Sequence, residues 1–231
     1  MNNLVIGAGE IGKAVYKVLN SVYGGVYIRD KEETEIKKAD ILHICIPYTK
    51  DFEKIVSSYI ELYGAELTIV HSSTKVGTCD ALGAVHSPIR GIHPNLEDGI
   101  RTFTKYFGGK DAERASKLFE PITEVKCYPE ARTTEAMKLW STTQYGWNII
   151  LEKEIHKWCE ENGIDFEAVY TEANKTYNKG YTELGKEQFV RPVLKHIDGK
   201  VGGHCVIPNL ETLGKNNITK IIKELNETYA L

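Results

Sequence analysis

The stretch Leu4-Val5-Ile6-Gly7-Ala8-Gly9-Glu10-Ile11-Gly12 decides how this chain begins. Its three apolar residues read as a buried strand, and the glycines after them match G-x-G-x-x-G. Past Gly12, apolar residues recur at helix spacing at Ala14, Val15, Val18, Leu19 and Val22, with Ile11 before them. Strand, turn and helix in that order give each glycine its own work. Gly7 permits the tight turn, Gly9 lets the backbone approach a pyrophosphate, and Gly12 lets the helix pack closely on the strand. The helix N-terminus then presents N–H groups and the positive end of its dipole to the phosphates. Glu10 and Ile11, within the fingerprint, count with Gly7, Gly9 and Gly12 as expected cofactor contacts.

Working outward, Val26-Tyr27-Ile28 reads as a second strand ending in Arg29-Asp30. Asp30 stands at the spacing where a dinucleotide fold places its acid. Its carboxylate is expected to accept hydrogen bonds from the adenosine ribose hydroxyls and to repel a 2′-phosphate. NAD is therefore the expected cofactor in preference to NADP, with Arg29 and Lys31 flanking the acid and the Lys31–Glu35 charge run read as solvated surface. A third strand, Ile41 to Ile46, is apolar enough to be buried on both faces and leads to Pro47. A helix is expected over 51–63, and strands over 67–70, 84–86, 106–107 and 125–128, with a helix over 111–119 between the last two. Ser72 follows the fourth of these strands, and it and Pro47 complete the expected cofactor contacts.

That alternation is the pattern of an α/β fold, an N-terminal Rossmann doubly wound parallel sheet. After Pro129 the texture changes. Thr133 to Glu161 reads as one long helix with Thr133 as N-cap and Asn162-Gly163 as its stop. A second helix is expected over 165–178, an irregular Gly-, Pro- and charge-rich stretch over 179–208, and a last helix from Asn217. The chain thus reads as an NAD-binding domain over 1–130 and a smaller, mainly helical domain over 131–231 with a long central helix. Tyr145, Trp147, Trp158 and Ile150-Leu151 on that helix read as core or subunit interface.

Composition narrows the class. The 231 residues are 42% hydrophobic and 26% charged, an ordinary globular balance, and the net charge of -3 gives no reason to expect nucleic acid or an anionic membrane. The longest apolar runs are too short to span a bilayer, and the N-terminus enters a strand with no signal segment. The five cysteines are scattered and contain no Cys-x-x-Cys pair, so neither a disulfide framework nor a zinc site is indicated, and a reduced, cytoplasmic setting is expected. His86 and His93 have no standard zinc spacing, and no metal is expected. In Gly202-Gly203-His204-Cys205-Val206-Ile207-Pro208 a thiol follows two glycines. Local sequence leaves a reactive thiol and a structural turn cysteine equally open.

Several segments together resemble the nucleotide-sugar dehydrogenases, the family of UDP-glucose and GDP-mannose 6-dehydrogenases within the 6-phosphogluconate dehydrogenase superfamily. They are the fingerprint, His71-Ser72-Ser73-Thr74-Lys75-Val76-Gly77-Thr78, His86-Ser87-Pro88, Glu135-Ala136-Met137-Lys138, Asn162-Gly163-Ile164-Asp165 and the Gly-Gly-His-Cys-x-x-Pro segment. The resemblance implies oxidation of a sugar primary alcohol to a carboxylate in two NAD-dependent steps. Cys205 is then the nucleophile that holds the aldehyde, Lys138 the cation that stabilises negative charge on the substrate oxygen, and Ser73 the hydroxyl that orders a water or substrate group. The same resemblance implies a homodimer paired through the long helix and a nucleotide or phosphorylated sugar as the small-molecule substrate. Arg191, just before Pro192, is a candidate phosphate contact.

The chain departs from the family pattern in four places. Thr142 stands where the family has asparagine, four residues after Lys138, and Asn209 where it often has aspartate, four residues after Cys205. Ile89 follows Ser-Pro where a glutamate is usual. After Cys205 there is room for one helix by ordinary helix dimensions, so no second nucleotide-binding domain is expected there. Two other readings stay open. One is a two-electron dehydrogenase of a small hydroxy acid, with Lys138 as acid/base and Cys205 structural; the other is an NAD-binding protein without catalysis.

Overall fold

The computed structural model describes residues 2–30, 36–203 and 205–229. Lys31, the rest of the 31–35 charge run and His204 of the thiol motif lie outside the described residues. The chain divides into two compact units, Met1–Leu139 and Trp140–Leu231, and the division falls inside one long helix.

The first unit is a seven-stranded sheet: β1 (Asn3–Ile6), β2 (Val26–Arg29), β3 (Ile41–Ile44), β4 (Leu67–Val70), β5 (Val85–His86), β6 (Lys105–Gly108) and β7 (Val125–Tyr128), in the order β2-β1-β3-β4-β5-β6-β7. Strands β1, β3 and β4 are buried along their whole length; all but Asn3, His43 and Thr68 of their residues are apolar. Alternation along β1 serves both faces. Val5 packs in one cluster with Ala14, Val15, Val18 and Leu19 of α1 (Glu10–Tyr23), while Leu4 and Ile6 pack in another with Phe52 and Val56 of α2 (Phe52–Tyr63). Because the chain places β2 on one side of β1 and β3 on the other, the strand order reverses at β1. Open α/β sheets bind their ligands in the crevice at the carboxyl ends of the strands at such a point.

The sheet is not wholly parallel, as the sequence reading has it. β5 and β6 are antiparallel, with His86 opposite Gly108, and β7 runs parallel to β6. The reason lies in the β5–β6 connection. It holds one short helix, α4 (Leu96–Thr102), which packs against α1 instead of carrying the chain back across the sheet. β6 therefore starts at the edge where β5 ends. Two further short helices, α3 (Thr78–Ala81) and α5 (Ala112–Ser116), complete the unit.

The long helix α6 (Ala131–Asn162) begins before Thr133, the residue expected to cap it. Asp80, far back in the chain, supplies the cap: its two carboxylate oxygens accept from Ala131 N at 2.9 Å and Arg132 N at 3.2 Å.

In the second unit, a π-helical stretch over Glu167–Glu172 runs into α7 (Ala173–Glu183), a 3-10 turn spans Glu187–Phe189, and α8 (Val206–Leu213) and α9 (Asn217–Asn226) follow. The second helical region thus extends past residue 178, and the irregular stretch shrinks to 190–203. Two helices, not one, follow Cys205. α9 starts at Asn217, and Asn216 before it caps the helix, exchanging hydrogen bonds with Thr219 in a capping box. The unit's core gathers Ile150, Val201, Val206, Leu210 and Ile222, with Trp147 packed against it, while Tyr145, Leu151 and Trp158 are exposed. Among the described residues no helix is long and apolar enough to cross a membrane.

Candidate active site

The carboxyl edge of the first unit's sheet gathers the expected dinucleotide contacts. Gly7 sits at φ +102, and an added Cβ would lie 2.7 Å from Cys45 O, so the turn after β1 admits no side chain there. At Gly12 a Cβ would meet Gly7 O at 1.8 Å: α1 starts hard against the turn. Gly9 is different, because its Cβ position faces open space and the residue is exposed. It is also the N-cap of α1 and provides no side-chain cap, which leaves the first N–H groups of the helix for a ligand. Glu10 is exposed beside it and pairs with His93, and Ile11 packs partly against the core.

Asp30, just past β2, comes back to this turn. Its Oδ1 accepts from Ala8 N at 3.4 Å. Arg29 beside it is committed elsewhere: its guanidinium donates to the Tyr63 hydroxyl and lies over the Tyr59 and Tyr63 rings. Pro47 is exposed on the turn after β3. The Ser72 hydroxyl, after β4, donates to Ile46 O at 2.6 Å and ties those two loops together. Ser73 is half-buried next to it.

The opening of α6 fastens the next two loops. Glu135 is fully buried, and its carboxylate accepts from Thr74 Oγ1 at 3.0 Å, Gly77 N at 2.6 Å and Cys79 N at 2.9 Å. Thr134 Oγ1 meets His86 Nδ1 at 2.9 Å, and Lys138 Nζ donates to Ile89 O at 2.9 Å. Ile89, which replaces the family's glutamate, thus contributes a carbonyl to Lys138 while its side chain is buried in the core.

Beneath this edge lies a buried polar row that the sequence reading did not single out. His71 Nδ1 is 2.8 Å from Ser87 O, which assigns it the proton. His43 Nδ1 lies 3.1 Å from His71 Nε2, and His43 Nε2 lies 3.1 Å from Asn3 Oδ1. Burial holds both imidazoles neutral, with His43 pushed down to about 3 and His71 well below its ordinary value. His86 is likewise lowered to about 3 by burial. Lys105 stands at the end of the row. A lone lysine before an apolar strand carries no local mark of burial.

The second unit brings three of the expected catalytic residues together. Cys205 is exposed at the N-cap position of α8 and its backbone O accepts from Asn209 N at 3.1 Å. Asn209 is buried, and its Nδ2 donates to Thr142 Oγ1 at 3.1 Å. Two of the three residues that depart from the resembled pattern, Asn209 and Thr142, are therefore direct partners. Gly146, which the sequence reading passed over, lets α8 approach: a Cβ there would lie 2.7 Å from Val206. Arg191 is stacked on Tyr177 at 3.7 Å, and its backbone is clamped at both N and O by the Asn178 side chain. Among the described residues no group of three metal-ligating side chains is assembled.

No family model matches the chain. It is 27% identical to the UDP-N-acetyl-D-mannosamine dehydrogenase of Methanocaldococcus jannaschii, over 87% of this chain and 51% of that protein, and so spans about half the length of the curated relative it matches. Among solved structures, the UDP-D-ManNAc dehydrogenase of Pyrococcus horikoshii superposes with a TM-score of 0.81 at 18% identity, over 98% of this chain and 68% of the other. The 3-hydroxyisobutyrate dehydrogenase of Mycobacterium tuberculosis gives a TM-score of 0.71 at 14% identity, over 99% and 94%. The fold is that of the Rossmann-type dehydrogenases. The curated protein that the chain is similar to in sequence and the first of these structures are both nucleotide-sugar dehydrogenases.

Proposed function

We propose that this chain is an NAD-dependent oxidoreductase that converts a primary alcohol of a nucleotide sugar, of the UDP-glucose or GDP-mannose type, to a carboxylate through Cys205. The observation that carries the cofactor assignment is the meeting of Asp30 with an open-faced glycine turn at an uncapped helix N-terminus. Those residues fit a dinucleotide: N–H groups for the pyrophosphate and a carboxylate for the ribose hydroxyls. When bound, NAD accepts hydride.

In this reading the residues of the chain divide the work as follows. Lys138, with its ammonium anchored on Ile89 O, stabilises negative charge on the substrate oxygen. Ser73 orders the substrate hydroxyl or a water. The Cys205 thiolate adds to the aldehyde carbon left by the first hydride loss, and the thiohemiacetal becomes a thioester as the second hydride leaves. Water cleaves the thioester to the acid and returns the thiol. Asn209 and Thr142 hold the first turn of α8, which Cys205 opens. Pairing of two copies through α6, where Tyr145 and Trp158 are exposed, belongs to the same proposal.

The test is to count NADH formed per UDP- or GDP-sugar consumed by the wild type and by Cys205→Ser. Two equivalents with acid formation in the wild type, and loss of acid in the variant, are expected. One equivalent that is indifferent to Cys205 would move the assignment to a two-electron dehydrogenase of a small hydroxy acid. The near full-length superposition on a 3-hydroxyisobutyrate dehydrogenase makes that the second reading.

A further inference from the structure

Lys105 opens β6 at the edge where β5 ends, and only 4% of it is exposed. Its Nζ donates to Ser87 O at 3.1 Å. The rings of Phe107 and Phe119 lie 5.6 and 4.9 Å from the ammonium. His71 Nδ1 is 3.5 Å away but has its own proton directed at Ser87 O, so among the described residues that carbonyl is the one acceptor for the three N–H groups of the ammonium. No carboxylate pairs with Lys105 among the described residues. The titratable groups around it are Cys45 after β3, His43 on β3, His71 after β4, His86 on β5 and Lys138 on α6. Burial keeps the Cys45 thiol protonated and the three imidazoles neutral, so none of these groups offsets the cation.

A buried ammonium without a counter-ion is costly, and a methionine would fill the same space between two phenyl rings at no such cost. The cation therefore has work other than packing. Its partner in that work is Lys138. Lys105 and Lys138 donate to carbonyls two residues apart, Ser87 O and Ile89 O, and clamp Ser87-Pro88-Ile89 between two positive charges. The Ser87 hydroxyl in the same segment is buried with no hydrogen-bond partner among the described residues.

The location gives the charge its meaning. The glycine turn and Asp30 hold the adenosine half of a dinucleotide over β1 and β2. The strand-order reversal at β1 then leads its other half along the carboxyl edge toward β3, β4 and β5. We infer that Lys105 is a functional residue of this site: its buried charge, backed by Lys138, favours the uncharged reduced nicotinamide ring over the cationic oxidised one and so promotes hydride acceptance. The inference rests on the NAD reading above. Burial, reinforced by Lys138, lowers the Lys105 ammonium to about 7, so its charge is adjustable near neutrality.

The experiment is calorimetric titration of the whole chain with NAD⁺ and with NADH at pH 6 and pH 9, for the wild type and Lys105→Met. A unit charge acting over roughly 10 Å at an effective dielectric of about 20 shifts an equilibrium on the order of tenfold. The ratio of the NAD⁺ to the NADH dissociation constant should therefore fall about tenfold in the wild type as pH rises. In Lys105→Met it should stay at the wild-type alkaline value at both pH values. A wild-type ratio indifferent to pH, or a variant ratio equal to that of the wild type at pH 6, overturns the inference and leaves the NAD site standing. Failure of the wild type to bind either dinucleotide overturns the NAD reading itself and the inference with it. Should Lys105→Met not fold, the wild-type pH dependence decides alone.

Discussion

Glu135 and Lys138, one turn apart at the start of α6, each hold a different loop of the sheet's carboxyl edge. Glu135 takes the loop after β4 through Thr74, Gly77 and Cys79, and Lys138 takes the segment after β5 through Ile89 O. The first turns of one helix therefore set where Ser73 lies relative to Lys138. Removing the carboxylate leaves three donors without their acceptor, two of them backbone N–H groups. Glu135→Ala is expected to lose about 3–5 kcal/mol of stability, since a broken buried charged network is among the largest single-residue effects. Urea unfolding of the two proteins measures it. A loss under 1 kcal/mol would mean that the loop finds other partners.

Lys105 makes stability depend on alkaline pH. Its folded-state value of about 7 is below the ordinary 10.5, so between those values the unfolded chain binds the extra proton. Stability from this group therefore rises with pH from about 7 to about 10.5 and is flat below that window. Lys105→Met is expected to be more stable than the wild type at pH 7 and to lose this slope. Urea midpoints across pH 6 to 10 show both, and a less stable variant at pH 7 would contradict the picture of an unpaired cation.

The buried imidazoles govern the acid side. His43 and His86 are held near 3 by burial, below the ordinary 6.5, so the unfolded chain takes up their protons first as pH falls. Stability is lost progressively below about pH 6.5, and the native ring resonances of both residues should not titrate down to pH 4 in NMR spectra. Titration of either ring near pH 6 would place it in contact with water.

The three fingerprint glycines are expected to separate by phenotype. Gly12→Ala drives a Cβ into Gly7 O and is expected to cost about 2–3 kcal/mol in overpacking. Gly9→Ala meets open space, so its effect on stability should stay within about 0.5 kcal/mol. Its methyl group would instead stand where a pyrophosphate approaches, and dinucleotide affinity should fall. Thermal unfolding and NADH titration of the two variants separate the effects; a Gly9→Ala protein that binds as tightly as the wild type would remove Gly9 from the site.

Much of the first unit was legible because its signals are local. Short apolar runs, a helix-spaced apolar stripe and glycines at fixed offsets each reflect contacts within a few residues, and they located β1, α1, β2 and β3 together with Gly7, Gly9, Gly12 and Asp30. The start of α6 was misplaced because Asp80, fifty-one residues earlier than Ala131, supplies its cap. The antiparallel direction of β6 was not legible, because strand periodicity says nothing of polarity. That is decided by whether the connection crosses the sheet, and α4 packs against α1 without crossing.

The site divides along the same line. By itself the sequence determined which residue types are present at which intervals: a glycine turn of G-x-G-x-x-G spacing, an acid at the end of the second strand, a thiol after two glycines. Only the tertiary structure decided that Glu135 is a loop anchor, that Asn209 and Thr142 are partners, and that Lys105 is a buried cation with a single acceptor among the described residues. The reason is physical. A backbone turn or an apolar period is dictated by neighbours in the chain, whereas the burial and pairing of a polar side chain depend on which distant segments fold against it.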